Sequence, residues 1–254
     1  DLLSSINIKP VPKINLDDIF LPENIKFHVR RMIHEIENYS IAKKPLRYLL
    51  NGSPGTGKTQ VISSIIRSTF QKITTIVIKG TNYDFKDIFD FGSKLIPCLL
   101  IIDDLDFIAQ DRTTSAQNIQ LNDLLHALDG IYSTPIFFLA ATNDKTLVDI
   151  AASRPGRFDL LIDFSHLSSD NYLQLIKRET DDPDLIDLFG DDILEIMSKK
   201  KVTGAFIVNL IKQTKSVKEM NGEFNQNDLL DLLKFSYEGF YETNQKSMKK
   251  VIGF

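Results

Sequence analysis

The 254-residue chain has almost no cysteine: Cys98 stands alone, so no disulfide can form within it. Its stability must come from a packed core, and Cys98, opening an apolar run, reads as a small buried hydrophobe. No stretch of about 18 uncharged apolar residues occurs, so no membrane-spanning helix is expected. Basic excess is missing too. Thirty Lys and Arg against 34 Asp and Glu leave a net charge of -4, which argues against a uniformly basic face for nucleic acid. The clusters Lys199-Lys200-Lys201 and Lys249-Lys250 read as solvated helix ends. No internal repeat or low-complexity segment stands out. A reducing, cytoplasmic setting is the expectation. The chain opens at Asp1 and not at Met, so an upstream targeting, anchoring or recognition segment stays open.

What is present is a globular composition, 43% hydrophobic and 25% charged. The length suits one large domain or a domain with a small appendage. Residues 1–16, interrupted by Pro10 and Pro12, read as a linker or arm. From Asn24 to Tyr39, Ile25, Val29, Met32, Ile33 and Ile36 recur at helical spacing. Then short apolar runs alternate with helical patterns: Leu46 to Leu50, Ile73 to Ile78, Leu99 to Ile102, Ile136 to Ala140 and Leu160 to Ile162. Five buried strands so arranged predict an α/β fold with a parallel sheet covered on both faces, over residues 17–165. Residues 166–254 show only helical patterns, near 169–180, 191–199, 204–219 and 226–242, and predict a second, all-helical unit.

The strongest local signal follows the first apolar run: Gly52-Ser53-Pro54-Gly55-Thr56-Gly57-Lys58-Thr59, which fits G-x-x-x-x-G-K-[ST]. Glycines let the backbone curl until several N–H groups face one anion. The helix that begins there adds the positive end of its dipole. Lys58 supplies a point charge for the outer phosphates of a nucleotide, and Thr59 a hydroxyl for magnesium.

A second signal is Leu99-Leu100-Ile101-Ile102-Asp103-Asp104, an apolar strand delivering acids at its C-terminal end. Ligands of open α/β sheets bind at that edge. Asp103 would hold magnesium, and Asp104 would polarise an attacking water. The alternative, that such acids merely cap the following helix, is open for Asp106 and disfavoured for Asp103.

At these residues the chain resembles the AAA ATPases, a family of P-loop NTPases, from Leu16 to the C-terminus. The likeness rests on residues 52–59, Asp-Asp-Leu-Asp at 103–106, Leu-Leu-His-Ala-Leu-Asp-Gly at 124–130 and Ala-Ala-Thr-Asn at 140–143. Arg-Pro-Gly-Arg-Phe-Asp at 154–159 and Thr-Gly-Ala at 203–205 complete it. The resemblance implies strand order 5-1-4-3-2 with a C-terminal helical lid, and a hexameric ring that hydrolyses ATP to ADP with Mg2+. Its nucleotide would be held by Asp18 and Ile19, by Ser53, Pro54, Gly55, Thr56, Gly57, Lys58, Thr59 and Gln60, and by Gly204 and Ala205. Asn143 would orient the attacking water. Arg154 and Arg157 would reach the neighbouring subunit's site, where an arginine finger is worth about 10³–10⁵ in rate. Asp129-Gly130 would lie near that interface.

Two departures matter. The family usually has Asp-Glu where this chain has Asp103-Asp104. The shorter carboxylate sits roughly 1.5 Å back, and about 1 Å of misplacement can cost about 100-fold. The segment after Ile78 is short, with no aromatic-Val-Gly pattern. Tyr83 is its best pore-facing aromatic, while Phe85 and Phe89 read as the buried face of a helix. A second pore-facing loop falls within Gln110 to Gln120 and includes Arg112. The shortening and Leu21-Pro22-Glu23 resemble mitochondrial AAA translocases and stand-alone bacterial AAA proteins. Three functions are compatible with the sequence: an ATP-driven remodeller of proteins, a DNA-directed loader or helper, and a slow or non-hydrolysing switch or scaffold.

Overall fold

In the computed structural model, residues 6–39, 46–80, 84–109, 117–130, 136–152, 156–164 and 167–239 are described. The apolar runs become strands: β1 (Arg47–Asn51), β2 (Thr74–Ile78), β3 (Cys98–Ile102), β4 (Ile136–Thr142) and β5 (Leu160–Asp163). All pair in parallel, in the order β2-β3-β4-β1-β5, the expected 5-1-4-3-2 read from the other side. The expectation of five buried strands needs correction. β1, β3 and β4 are buried at every residue, whereas β2 and β5 are edges. Val77 is 40% and Leu161 42% exposed, because an edge strand is covered on one side only.

Alternating residues of the sheet point to opposite faces and build two cores. Tyr48, Leu50, Ile101 and Leu139 pack with α1 (Glu23–Glu37) and α2 (Lys58–Thr69). Leu49, Leu100, Ile102 and Phe138 pack with α3 (Phe85–Ser93) and, past α4 (Asp106–Ala109), with α5 (Gln117–Gly130). α1 forms because Ile25, Val29, Met32 and Ile36 share one face, and all four are buried. Burying each such side chain stabilises the fold by about 1.5–3 kcal/mol. Phe85 and Phe89 are both buried on α3, as their spacing predicts, and α6 (Lys145–Ala152) follows β4.

The chain divides into two compact units, Asp1–Ser165 and His166–Phe254. In the second lie α7 (Ser169–Glu179), α8 (Pro183–Leu188), α9 (Asp191–Lys199), α10 (Gly204–Asn221) and α11 (Gln226–Tyr237). Ser168, Asp182, Thr203 and Asn225 each accept a backbone N–H of the first turn that follows, satisfying donors a helix start leaves unpaired. Tyr172 on α7 is fully buried, and its hydroxyl donates to the Val202 carbonyl at 3.1 Å. α8 escaped the sequence reading: six residues are too few for a helical period to register. Among the described residues no helix is long and apolar enough to cross a membrane.

Candidate functional site

β1, β3 and β4 lie side by side, so the residues following their C-terminal ends converge on one edge of the sheet. The 52–57 loop leaves β1, Asp103 and Asp104 follow β3, and Asn143 follows β4. The loop is docked by a hydrogen bond from Gly52 N to the Thr142 carbonyl at 3.2 Å. Only glycine fits at 52, since a Cβ there would lie 2.7 Å from both Cβ and the carbonyl oxygen of Phe164. Gly57 caps α2 with φ +99°, a backbone region that L side chains rarely adopt.

Lys58, the first residue of α2, is 6% exposed. Its ammonium turns back over the loop and donates to the carbonyls of Gly52 and, at 3.1 Å, Ser53, and to Asn143 Oδ1 at 2.7 Å. All three acceptors are neutral oxygens. Burial lowers the Lys58 pKa from its usual 10.5, against the opposing pull of Asp106, Asp104 and Asp103. A desolvated cation at a helix N-terminus, beside a loop pinned by a glycine where no Cβ fits, is a cradle for an anion.

Thr59 Oγ1 donates to Asp103 Oδ1 at 3.4 Å. Burial raises the Asp103 carboxyl above its usual 3.8; the Thr59 hydroxyl opposes that shift, and Asp104 adds to it. Octahedral Mg2+ holds adjacent oxygens roughly 3 Å apart, given bonds of about 2.1 Å. The Thr59–Asp103 pair and its acid–hydroxyl chemistry fit that ion. Asp104 has φ +63°. Short polar residues tolerate this left-handed conformation best, so its identity and its backbone agree.

Asp106 opens α4, but its carboxylate is turned to the residues at the end of β4. Its carboxylate accepts from Thr142 Oγ1, from Asn143 N at 3.0 Å and from Asn143 Nδ2 at 2.7 Å. A carboxylate only accepts and an ammonium only donates, so the Asn143 amide has one consistent orientation: Nδ2 toward Asp106, Oδ1 toward Lys58. Asp106 thereby sets Asn143, which in turn holds Lys58. The signal available in the sequence was a third acid two positions after the pair, ending an apolar strand.

Ile19 is buried, and Leu21 Cδ2 lies 4.0 Å from where a Cβ on Gly57 would be, so this segment packs beside the phosphate loop. Asp18 is exposed, and its carboxylate accepts from Asn15 N at 2.9 Å and Nδ2 at 3.0 Å. Gly204 and Ala205 belong to the second unit, where they open α10 after Thr203.

Arg157 lies elsewhere. It is 6% exposed, and its guanidinium grips Asp129 in a fork, Nε to Oδ1 at 3.1 Å and Nη2 to Oδ2 at 3.2 Å. Asp159 N donates to the Arg47 carbonyl at 2.8 Å, so the turn sits at the start of β1. Arg47 opens the strand and Asn51 closes it. The turn and the phosphate loop are therefore separated by a strand length, roughly 13 Å at about 3.3 Å per residue. Arg154, Tyr83 and Arg112 lie outside the described residues. Arg47 itself was missed: a charged residue inside the apolar run Leu46 to Leu50, it is 3% exposed.

A family model, ATPase family associated with various cellular activities (AAA), matches residues 48–166. The ATP-dependent zinc metalloprotease FtsH of Sulfurovum sp. is 27% identical, over 96% of this chain and 40% of that protein. A proteasome-activating nucleotidase of Methanococcus maripaludis is 29% identical, over 76% of this chain and 52% of that protein. The peroxisomal ATPase PEX6 of Rattus norvegicus is 29% identical, over 67% of this chain and 19% of that protein. The chain thus spans about half or less of each of these relatives. The loop, the acids after β3 and the asparagine after β4 all fall inside the matched stretch, and the chain carries, at residues 48–166, an AAA domain.

Proposed function

We propose that this chain binds ATP with Mg2+ and hydrolyses it inside a ring of its own copies, a hexamer, to remodel or take apart a protein or protein assembly. The observation that carries the nucleotide reading is the buried Lys58 ammonium, bonded to neutral oxygens only, at the mouth of a glycine loop. In this reading the loop amides and Lys58 hold the phosphates, and Asp18 and Ile19 hold the adenosine. Thr59 and Asp103 would hold Mg2+, which screens the phosphate charge. Asn143 and Asp104 orient a water in line with the terminal phosphorus. The new P–O bond forms as the bond to the bridging oxygen breaks; ADP departs with that electron pair and the water's proton passes to Asp104 or solvent.

The ring reading is supported by the distance between Arg157 and its own chain's loop: a strand length separates them, so a contribution to catalysis must go to another copy. Movement of the helical unit against the sheet would carry the work to a substrate. Protein is the favoured substrate over DNA because the net charge is -4. Asp104 favours one further reading, a slow switch, since its carboxylate is short and its backbone left-handed.

The test is steady-state ATP turnover of wild type and Asp104→Glu, with and without an unfolded protein or duplex DNA. The motor reading expects turnover that unfolded protein raises and Asp104→Glu alters. Tight ATP binding with no turnover in either form would leave the switch and remove the motor.

A further inference from the structure

Arg47 makes contacts that neither packing nor the phosphate loop calls for. Its Nη1 donates to the Leu128 carbonyl at 2.8 Å and to the Gly156 carbonyl at 2.9 Å. Those two residues immediately precede Asp129 and Arg157, the two halves of the ion pair described above. Its backbone grips the far side of the same turn. Arg47 N donates to Asp159 Oδ2 at 3.0 Å, and Asp159 N returns a bond to the Arg47 carbonyl. One buried residue thus ties the end of α5 to both shoulders of the arginine turn, the near one through its cation and the far one through its backbone. It does so from the first residue of the strand whose last residue meets the phosphate loop.

We infer that Arg47 is a positioning residue for the arginine turn, fixing where Arg157 is presented to the adjoining copy's nucleotide site. A guanidinium is suited to this role because it stays charged and holds several donors in one plane. Both carbonyls are held by one nitrogen, so any shift of α5 relative to the turn strains a bond at Arg47. The residue bridges the two backbones instead of touching nucleotide. The inference rests on the proposed inter-subunit role of Arg157, and the experiment separates the two.

Arg47→Met keeps most of the side-chain volume and removes the nitrogen that both carbonyls share. Expected is a fall in turnover of about 10- to 100-fold, the scale of about 1 Å of misplacement. Affinity for a fluorescent ADP analogue should stay within about twofold, because the chain's own loop is untouched. The decisive readout is mixing with Lys58→Ala, a chain with a dead loop and an intact turn. Lys58→Ala alone is nearly inactive and Arg47→Met alone is reduced, and the mixture should exceed the sum of its parts, since the Lys58→Ala neighbour supplies a sound turn to the loop of Arg47→Met. A parallel mixture of Arg157→Ala with Lys58→Ala tests the underlying reading. If that mixture stays dead, the shared-site reading fails and the inference falls with it. If it recovers while Arg47→Met keeps wild-type turnover, or while the Arg47→Met mixture is no more active than its parts, the inference alone is overturned. Should Arg47→Met not fold, Arg47→Lys keeps the buried charge on a shorter, non-planar head that does not reproduce the Nη1 position, and a smaller loss with the same rescue is expected. Wild-type turnover in Arg47→Lys would then reduce Arg47 to a folding residue and overturn the inference.

Discussion

The two ends of β1 use a buried cation in opposite ways. At the C-terminal end, Lys58 is desolvated, and the oxygens it touches are all neutral. At the N-terminal end, Arg157 is equally buried, but its charge is met by the Asp129 carboxylate in a two-point fork. A buried charge without a contacting counter-charge is costly and is held ready for an anion. A buried charge with a bidentate partner is at rest. The first end is preformed for its ligand. If Arg157 serves a neighbouring copy's site as proposed, the second must exchange one partner for another before it acts, and that exchange is where communication between copies would reside.

The largest test of this contrast is Arg157→Ala. If Arg157 serves another copy's site, turnover should fall about 10³-fold while nucleotide affinity barely moves, which rapid-quench and binding assays separate. The alanine also leaves Asp129 without its fork, so far-UV circular dichroism must accompany the rate. A rate unchanged within about threefold would make Arg157 a structural ion pair and nothing more.

The next effect belongs to the preformed end. Asp106→Asn should lower kcat by about 10- to 100-fold, with nucleotide affinity changed far less. An amide has one oxygen where the carboxylate has two, and it would face one of the Thr142 and Asn143 donors with its own N–H groups. The same variant should lose about 1–3 kcal/mol of stability in denaturant titration, the cost of an unsatisfied buried donor. Loss of affinity in place of rate would mean that Asp106 supports the loop and not Asn143.

A smaller effect follows from Asp103. Its pKa in the fold is raised above the usual 3.8, mainly by burial, so the ionised form is the disfavoured one. Its contribution to stability therefore improves as pH falls through the raised pKa and is a penalty above it. Without magnesium, Asp103→Asn should raise the melting temperature at pH 8 by a few degrees and lose that advantage near pH 4. With magnesium the order reverses, because the ion needs the carboxylate. Equal melting of both forms at every pH would remove Asp103 from the site's electrostatics. Smallest of all is Cys98, whose thiol burial pushes up to about 12. It should resist a disulfide reagent at pH 8 until denaturant is added, and rapid labelling of native protein would contradict the buried sheet centre.

The sequence was most informative where chemistry forces local pattern. The loop at 52–59 needs glycines and a lysine at fixed offsets, and the middles of β1, β3 and β4 need apolar runs because helices cover both faces. It was less informative where a residue's role depends on what the fold brings near it. Asp106 stands 37 positions from Asn143 in the chain, and Arg47 stands 81 from Leu128 and 109 from Gly156. Nothing local marks those bonds. Edge strands were overread for a related reason. Leu161 is apolar like its neighbours, and only the strand order reveals that one side of β5 is open. Asp104 read as a shortened glutamate. The left-handed backbone beneath it, which the residue type accommodates, is a tertiary fact.

The central claim is that one chain's loop and another chain's arginine turn form a single catalytic site. Its most direct measurement is ATP turnover of Lys58→Ala and Arg157→Ala chains, each alone and mixed in equal amounts after co-assembly. Both are expected to be nearly inactive alone and to recover a measurable fraction of wild-type turnover when mixed, because half-broken copies complement across the interface. A mixture no more active than its parts, with mixed assembly verified, would contradict the account.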